Sequence, residues 1–302
     1  MTHGLVVMAY GTPSGPEQVE EYYTHIRRGK PPEPRQLAEL TARYEAIGGI
    51  SPMAQRTRAQ LDAIESELSA ADPGNWLVRL GQKHAYPFIE DAVAELRASA
   101  VDRIVGLVLA PHYSAFSVGQ YNARAEAAAH TTPFRGIQSW HDLPEFVSFQ
   151  ARALRESLAA MPGSTHVVFT AHSLPERVLV DDPYPDQLHE SAQAIAAAAG
   201  VSRWAGWGLG WQSAGRTPEP WRGPDILGII DDLAQTGRSD GLVVVPQGFT
   251  SDHLEVLYDL DIEAARAAER AGLPFGRTAV PNDDPAVMGA LARLVLATGE
   301  QP

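Results

Sequence analysis

Carboxylates recur at regular spacing in the segment Thr250–Gly272, TSDHLEVLYDLDIEAARAAERAG. Its apolar periodicity predicts a helix, on which Glu255, Asp259 and Glu263 are spaced i, i+4, i+8 and share one face over about 12 Å. Like charges at this spacing are mildly destabilising, and carboxylate oxygens suit hydrated divalent cations. The segment therefore predicts a cation site or route. The alternative is that Asp252 and Glu255 form a capping box while the other acids are solvated.

His172 lies in the segment TAHSLPERV. A neutral imidazole can accept a proton or coordinate a metal near physiological pH. The alternative is a histidine at a helix entry, with Ser173 as the cap and Glu176 at the third helical position. Structural roles are expected for three other histidines: His84, His112 and His253.

Basic and hydroxyl side chains cluster early in this acidic chain, in THIRRGKPPEP and RYEAIGGISPM. The planar guanidinium groups of Arg27 and Arg43, together with the Ser51 hydroxyl, suit an acidic ligand. Arg28 better fits an exposed position on a solvated helix.

Aromatic side chains suggest contacts with a flat ligand. Tyr10 follows the first apolar run and either contacts a ligand or packs at a domain edge. Trp207, Trp211 and Trp221 concentrate flat apolar surface in a loop-rich stretch. Their rings could line the binding pocket of a large planar ligand, although core packing is the commoner role of tryptophan.

Composition excludes several classes of protein. The chain has 302 residues, 24 basic against 37 acidic side chains, a net charge of −13 and no cysteine. Disulfides, zinc–thiolate sites, cysteine-held iron–sulfur clusters and a cysteine nucleophile are therefore excluded. The acidity argues against general nucleic-acid binding and permits a cationic partner. The longest apolar run, Ile104–Ala110, is far shorter than the ~20 residues of a membrane helix, so a soluble, cytoplasmic protein is expected.

Short apolar runs alternate with helical patterns, which predicts an α/β fold with parallel sheets. Four runs are expected to be buried strands: Gly4–Ala9, Ile104–Ala110, His166–Thr170 and Gly241–Val245. The first and second halves share the same pattern of apolar runs followed by polar residues, which predicts two similar domains, 1–150 and 151–302. Polar residues follow each run, and ligands of such sheets bind beyond the carboxyl ends of the strands.

Eight collinear segments resemble the ferrochelatase family: VMAYGTP, YYTHIRRGKPPEP, RYEAIGGISPMAQ, LAPHYSAFSVGQYN, TAHSLPERV, DPYPDQLHES, GWQSAGRTPEPW and DHLEVLYDLDIE. Within the family, the chain is most similar to the water-soluble, monomeric Gram-positive type, which inserts Fe²⁺ into coproporphyrin III to give coproheme. A decarboxylase then converts coproheme to haem, so transient contact with that enzyme is expected. The resemblance implies two Rossmann-like domains with a porphyrin cleft between them, and a last helix that packs back on the first domain.

The resemblance also assigns roles to individual residues. His172 and Glu255 correspond to the catalytic, metal-binding pair, and Asp259 and Glu263 continue the acidic row. Tyr10 corresponds to a residue that faces the iron from the opposite side of the porphyrin. The expected propionate-binding residues are Arg27, Arg43, Ser51 and Tyr121, and Trp221 would line the pocket.

Two features depart from the family pattern. Actinobacterial members often carry a [2Fe–2S] cluster, which this cysteine-free chain is not expected to hold. The stretch 202–213 is longer than its counterpart. The only cofactor-like species expected are Fe²⁺ as substrate and a hydrated divalent cation at the acidic helix. Three alternatives stay open: a protoporphyrin IX ferrochelatase, a porphyrin or haem carrier without turnover, and a chelatase for another tetrapyrrole or ion.

Overall fold

A computed structural model of the chain describes residues 2–201 and 206–300. Residues 202–205, part of the stretch 202–213 that was expected to be longer than its family counterpart, lie outside this description. The strands are β1 (His3–Ala9), β2 (Trp76–Gln82), β3 (Arg103–Val108), β4 (Phe134–Gly136), β5 (Thr165–His172), β6 (Trp207–Gln212), β7 (Gly241–Val245) and β8 (Phe275–Arg277). The α-helices are α1 (Val19–Ile26), α2 (Pro34–Ala46), α3 (Met53–Ala71), α4 (Ile89–Ala98), α5 (Val118–Ala129), α6 (Pro144–Leu158), α7 (Tyr184–Ala199), α8 (Ile226–Thr236), α9 (Leu254–Leu257), α10 (Ala265–Arg270) and α11 (Pro285–Glu300). Short 3₁₀ turns occupy Pro16–Gln18 and Glu176–Val178, and a π-helical turn occupies Asp259–Ala264.

The chain forms two compact units whose boundaries differ from a single division at residue 150. The first unit comprises Met1–Ala110, Ser117–Ser139 and Asn282–Pro302, and the second comprises Pro111–Phe116 and Trp140–Pro281. Helix α11 belongs to the first unit, where it packs on α3 and β3.

The first unit contains a parallel sheet in the order β2-β1-β3-β4. Strands β1 and β3 are central and are covered on both faces, so the side chains of Leu5, Val7 and Ile104 are fully buried. Two-sided burial is the reason that these strands read as continuous apolar runs.

The second unit repeats this arrangement with a parallel sheet in the order β6-β5-β7-β8. The matching order explains the pattern shared by the two halves of the sequence. The predicted α/β class with two similar parallel-sheet domains is confirmed. Strand β5 ends at His172, which pairs in register with Gln212 at the end of β6. Both residues therefore lie at the carboxyl edge of the sheet.

The predicted helix over Thr250–Gly272 is wrong as a single α-helix. Helix α9 ends after one turn, the π-turn follows, and α10 begins only at Ala265. The Glu263 N–H bonds the Tyr258 carbonyl five residues back at 2.9 Å, which is the π pattern. The i, i+4, i+8 alignment of the acids on one α-helical face therefore does not hold.

None of the helices in residues 2–201 and 206–300 is long and apolar enough to span a bilayer.

Candidate active site

One ring nitrogen of His172 has a lone pair that can accept a proton or coordinate a metal ion. Its Nδ1 atom lies 2.5 Å from the carbonyl oxygen of Ser173. Because a carbonyl can only accept, Nδ1 carries the hydrogen, and in the neutral ring the lone pair is on Nε2. The side chain is 37% exposed. The interpretation of His172 as a helix-entry residue is wrong, because it ends a strand and the Ser173 hydroxyl donates to the Arg222 carbonyl at 2.7 Å.

The carboxylate of Glu255 lies between two imidazoles. Its Oε1 is 3.6 Å from Nε2 of His172, and its Oε2 is 3.7 Å from Nε2 of His253. The two oxygens of this carboxylate therefore each face one imidazole nitrogen. The structure thus brings together the two predicted catalytic residues.

His253 is the less exposed of the two imidazoles, with 15% of its side chain accessible against 37% for His172. Its Nδ1–H donates to the Ser251 carbonyl at 2.9 Å, so its Nε2 also faces Glu255. Burial alone lowers the pKa of His253, but the hydrogen bond and charge of Glu255 outweigh it and raise the pKa above its ordinary value. His253 therefore contacts the same carboxylate as His172, which makes it a candidate residue of this site beside the structural role expected from the sequence.

Two buried groups hold the backbone around the pair. The Gln212 amide donates from Nε2 to the Glu255 carbonyl at 2.8 Å, which links the end of β6 to α9. The Tyr184 hydroxyl donates to the His172 carbonyl at 3.3 Å. Burial, with the charges of Glu255 and Asp182, raises the pKa of Tyr184, so its hydroxyl keeps the proton that it donates.

Asp259 is buried, with 5% of its surface exposed, in the π-turn. The Ser213 hydroxyl donates to its Oδ2 at 2.5 Å. Ser213 directly follows β6 and adopts a left-handed conformation with φ of 59°. Gln212 and Ser213 are thus consecutive residues that contact Glu255 and Asp259 respectively.

Two other acidic residues of the segment Thr250–Gly272 pair with a single arginine. Arg277 bonds both carboxylate oxygens of Asp261, at 2.8 and 2.6 Å, and Oδ1 of Asp252 at 3.3 Å. The capping-box interpretation is wrong, because Asp252 faces Arg277 and α9 has no side-chain cap. Glu263 is half-buried at the end of the π-turn.

Trp221 lies in a loop that is bonded to the segment after His172. The Arg222 N–H donates to the Leu174 carbonyl at 2.9 Å, and the Glu176 N–H donates to the Pro220 carbonyl at 3.0 Å. The Trp221 indole is half-buried, and its Nε1–H donates to the Thr217 hydroxyl at 2.9 Å.

Tyr10 belongs to the first unit and directly follows β1. It is 39% exposed, and its ring centroid lies 4.6 Å from that of His84. His84 in turn places its Nδ1 3.0 Å from Nδ1 of His25. Burial, together with the positive charges of Lys83 and Arg124, lowers the pKa of His84 to about 3, so its ring is neutral.

The predicted propionate-binding residues are also in the first unit and differ in accessibility. Arg27 follows α1, donates from Nε to the Lys30 carbonyl at 3.3 Å and is partly buried, as is Arg43 in α2. Ser51 is 5% exposed, and its hydroxyl oxygen accepts the Met53 N–H at 3.2 Å at the start of α3. Tyr121, in α5, is only 4% exposed.

Sequence reasoning missed Gln212 and Ser213 as well as His253. A usable signal was present, because a polar pair directly follows the run WGLGW. That run is an edge strand with two glycines and no clear period, so its pattern does not predict a strand end at Gln212. In the described ranges, no three His, Asp or Glu side chains form a ready-made metal cluster. Two groups of this site could ligate a metal ion transiently: Nε2 of His172 and the Glu255 carboxylate.

The family model described as Ferrochelatase matches residues 2–298. The chain belongs to the ferrochelatase family. It is 47% identical to the coproporphyrin III ferrochelatase of Bacillus subtilis (strain 168), with 97% of this chain and 96% of that protein covered. It is 45% identical to the protein of the same name from Geobacillus kaustophilus (strain HTA426), with 98% and 95% covered. The resemblance seen in the sequence is confirmed.

Solved chelatase structures share the fold of this ferrochelatase family member. SirB from Bacillus subtilis with Fe³⁺ matches with a TM-score of 0.56 and 13% identity, covering 99% of this chain and 96% of that chain. CbiX, described as the terminal enzyme for siroheme biosynthesis in denitrifying bacteria, matches with the same TM-score and identity, covering 97% and 98%. At this identity the likeness concerns the fold alone.

Proposed function

We propose that this protein inserts Fe²⁺ into coproporphyrin III to form coproheme, as a cytoplasmic monomer in haem biosynthesis. Coproheme would then pass to a decarboxylase. The observation that carries the proposal is the pairing of His172 Nε2 with the Glu255 carboxylate at 3.6 Å. The full-length match to relatives named coproporphyrin III ferrochelatase supports the choice of substrate.

The reaction requires two pyrrole protons to leave as the ion enters, because a metal-free porphyrin carries two N–H groups. His172 would accept one pyrrole proton on Nε2, with Glu255 stabilising the resulting imidazolium, and the second pyrrole proton would pass to solvent after His172 has released the first. The Nδ1–H bond to Ser173 fixes the ring in the tautomer that this role needs. His253 provides a second imidazole on the other oxygen of Glu255.

The porphyrin must expose its nitrogen lone pairs before the metal enters. Binding of the peripheral propionates supplies free energy for distortion of the ring at its centre. The propionates would be bound by four residues: Arg27, Arg43, Ser51 and Tyr121. Trp221 would line the porphyrin pocket. Tyr10 would face the iron from the opposite side of the porphyrin. Fe²⁺ would arrive past the half-buried Glu263, where a hydrated divalent cation would also bind, whereas the buried Asp259 would hold the π-turn through its bond to Ser213.

An anaerobic absorbance assay with Fe²⁺ and coproporphyrin III tests the proposal. We expect conversion of the metal-free spectrum to that of coproheme, at a higher kcat/KM than for protoporphyrin IX. A faster reaction with protoporphyrin IX would reassign the substrate. Binding of the porphyrin without spectral conversion would instead show a carrier.

A further inference from the structure

Lys83 is an unusual basic residue in this chain. Only two of the 24 basic side chains are lysines, Lys30 and Lys83. Lys30 is exposed, whereas Lys83 is partly buried just after β2 in the first unit. A long, strongly hydrated ammonium is costly to bury without a counter-charge.

The partners of the Lys83 ammonium are neutral. Nζ donates to Oε1 of Gln120 at 2.8 Å and lies 4.9 Å from the centroid of the Tyr121 ring. These contacts orient the ammonium but do not neutralise it. Across residues 2–201 and 206–300, no carboxylate lies within ion-pair distance of Nζ, although the chain has 37 acidic residues.

The charges around Lys83 are positive. Arg124 donates to the Lys83 carbonyl at 2.9 Å, and its own charge is offset by both oxygens of Glu90 at 2.7 Å. Arg28 adds a guanidinium with no acidic partner in the described part of the chain. Burial and these two arginines lower the pKa of Lys83 to about 8, so the ammonium is held at a cost in free energy.

A bound anion would remove that cost. An ammonium has three N–H donors, and Gln120 uses one, which leaves two for a ligand. Gln120 and Tyr121 hold Nζ in place before the ligand arrives, so little side-chain entropy is lost on binding. Porphyrins of the proposed substrate class carry carboxylates at their periphery, which is the charge that this position lacks.

We infer that Lys83, positioned by Gln120 and Tyr121, is an anion-binding residue that takes a carboxylate of the substrate porphyrin. The inference rests on the proposed function for the identity of the anion. It adds to the substrate-binding residues a lysine that the sequence motifs did not single out.

Affinity for metal-free coproporphyrin III, measured by fluorescence titration, tests this inference without turnover. Lys83→Met should weaken binding about tenfold, and Lys83→Arg should retain most of the affinity. Lys30→Met, the matched control, should change it less than twofold. The neutral tetramethyl ester of coproporphyrin III should bind wild type and Lys83→Met equally. Circular dichroism confirms that each variant is folded. Wild-type affinity of Lys83→Met for the free acid would overturn the inference.

Acetylation of the wild-type protein by acetic anhydride gives a second readout, with Lys30 as internal control. Coproporphyrin III should protect Lys83 and leave Lys30 reactive, while millimolar inorganic phosphate should protect neither. Equal protection by phosphate would assign Lys83 to free anions, and no protection by the porphyrin would contradict the inference. If the porphyrin binds through Lys83 but no iron is inserted, the proposed function fails and this inference stands.

Discussion

The Ser213 hydroxyl, which directly follows β6, donates a 2.5 Å hydrogen bond to the buried Asp259 carboxylate in the π-turn. Gln212, the preceding residue, bonds the backbone of Glu255. The last residue of β6 and the residue after it therefore hold Glu255 and Asp259, two acidic residues one turn apart. π-Turns are found frequently at functional sites, and this one changes the direction of every carboxylate that follows Glu255.

Replacement of Ser213 separates the role of its hydroxyl from that of its backbone. Ser213→Ala should lower the free energy of unfolding by about 2 to 3 kcal/mol, because a buried carboxylate loses a charge-assisted donor. Ser213→Gly loses the same donor but adopts φ of 59° without strain, so it should be about 1 kcal/mol more stable than the alanine variant. Urea denaturation measures both. Equal stability of the two variants would show that the left-handed backbone at Ser213 carries no cost.

Arg277 should stabilise the same segment from the other side. Arg277→Lys keeps the charge but loses the planar fork that bonds both oxygens of Asp261, so we expect a loss of about 1 to 2 kcal/mol. The KM for Fe²⁺ should rise several-fold, because the π-turn is less firmly held. Arg270→Met, on the exposed surface of α10, is the control and should change stability by less than about 0.5 kcal/mol. A lysine variant that matches wild type in both measurements would remove Arg277 from this role.

Central strands were predictable from the sequence, and edge strands were not. β1, β3, β5 and β7 lie inside their sheets and read as continuous apolar runs, and all four were expected. β2, β4, β6 and β8 lie at sheet edges, where one side is less covered, so their residues are mixed. Such segments carry no clear period, so the pattern of the run before Gln212 does not predict a strand.

The residue types of the candidate site were predictable, but their arrangement was not. His172 and Glu255 were singled out by side-chain chemistry and motif, and the structure brings them together. The π-turn contains one more residue per turn than an α-helix. In so short a segment, this extra residue does not visibly change the spacing of the apolar residues along the sequence. The pairing of Asp252 and Asp261 with Arg277 depends on β8, a three-residue edge strand that the sequence pattern did not reveal.

Acid should destabilise the protein through His84. The unfolded chain binds a proton on this residue below about pH 6.5, whereas the folded protein does so only near pH 3. The free energy of unfolding should therefore fall as pH decreases from 6.5, by about 1 kcal/mol at pH 5 once solvent screening is allowed for. His84→Asn should remove this part of the loss, measured as the difference between variant and wild type in urea titrations at pH 7 and pH 5. An unchanged difference at the two pH values would mean that His84 does not titrate in this way.

Removal of the His172 imidazole tests the central claim most directly. We expect His172→Ala to bind coproporphyrin III within twofold of wild type and to lose at least about 10²-fold in the rate of Fe²⁺ insertion, since the base that accepts the pyrrole proton is gone. His189→Ala, an exposed histidine on α7, is the control and should insert Fe²⁺ at the wild-type rate. A His172→Ala protein that inserts iron at a near wild-type rate would contradict the assignment of this site.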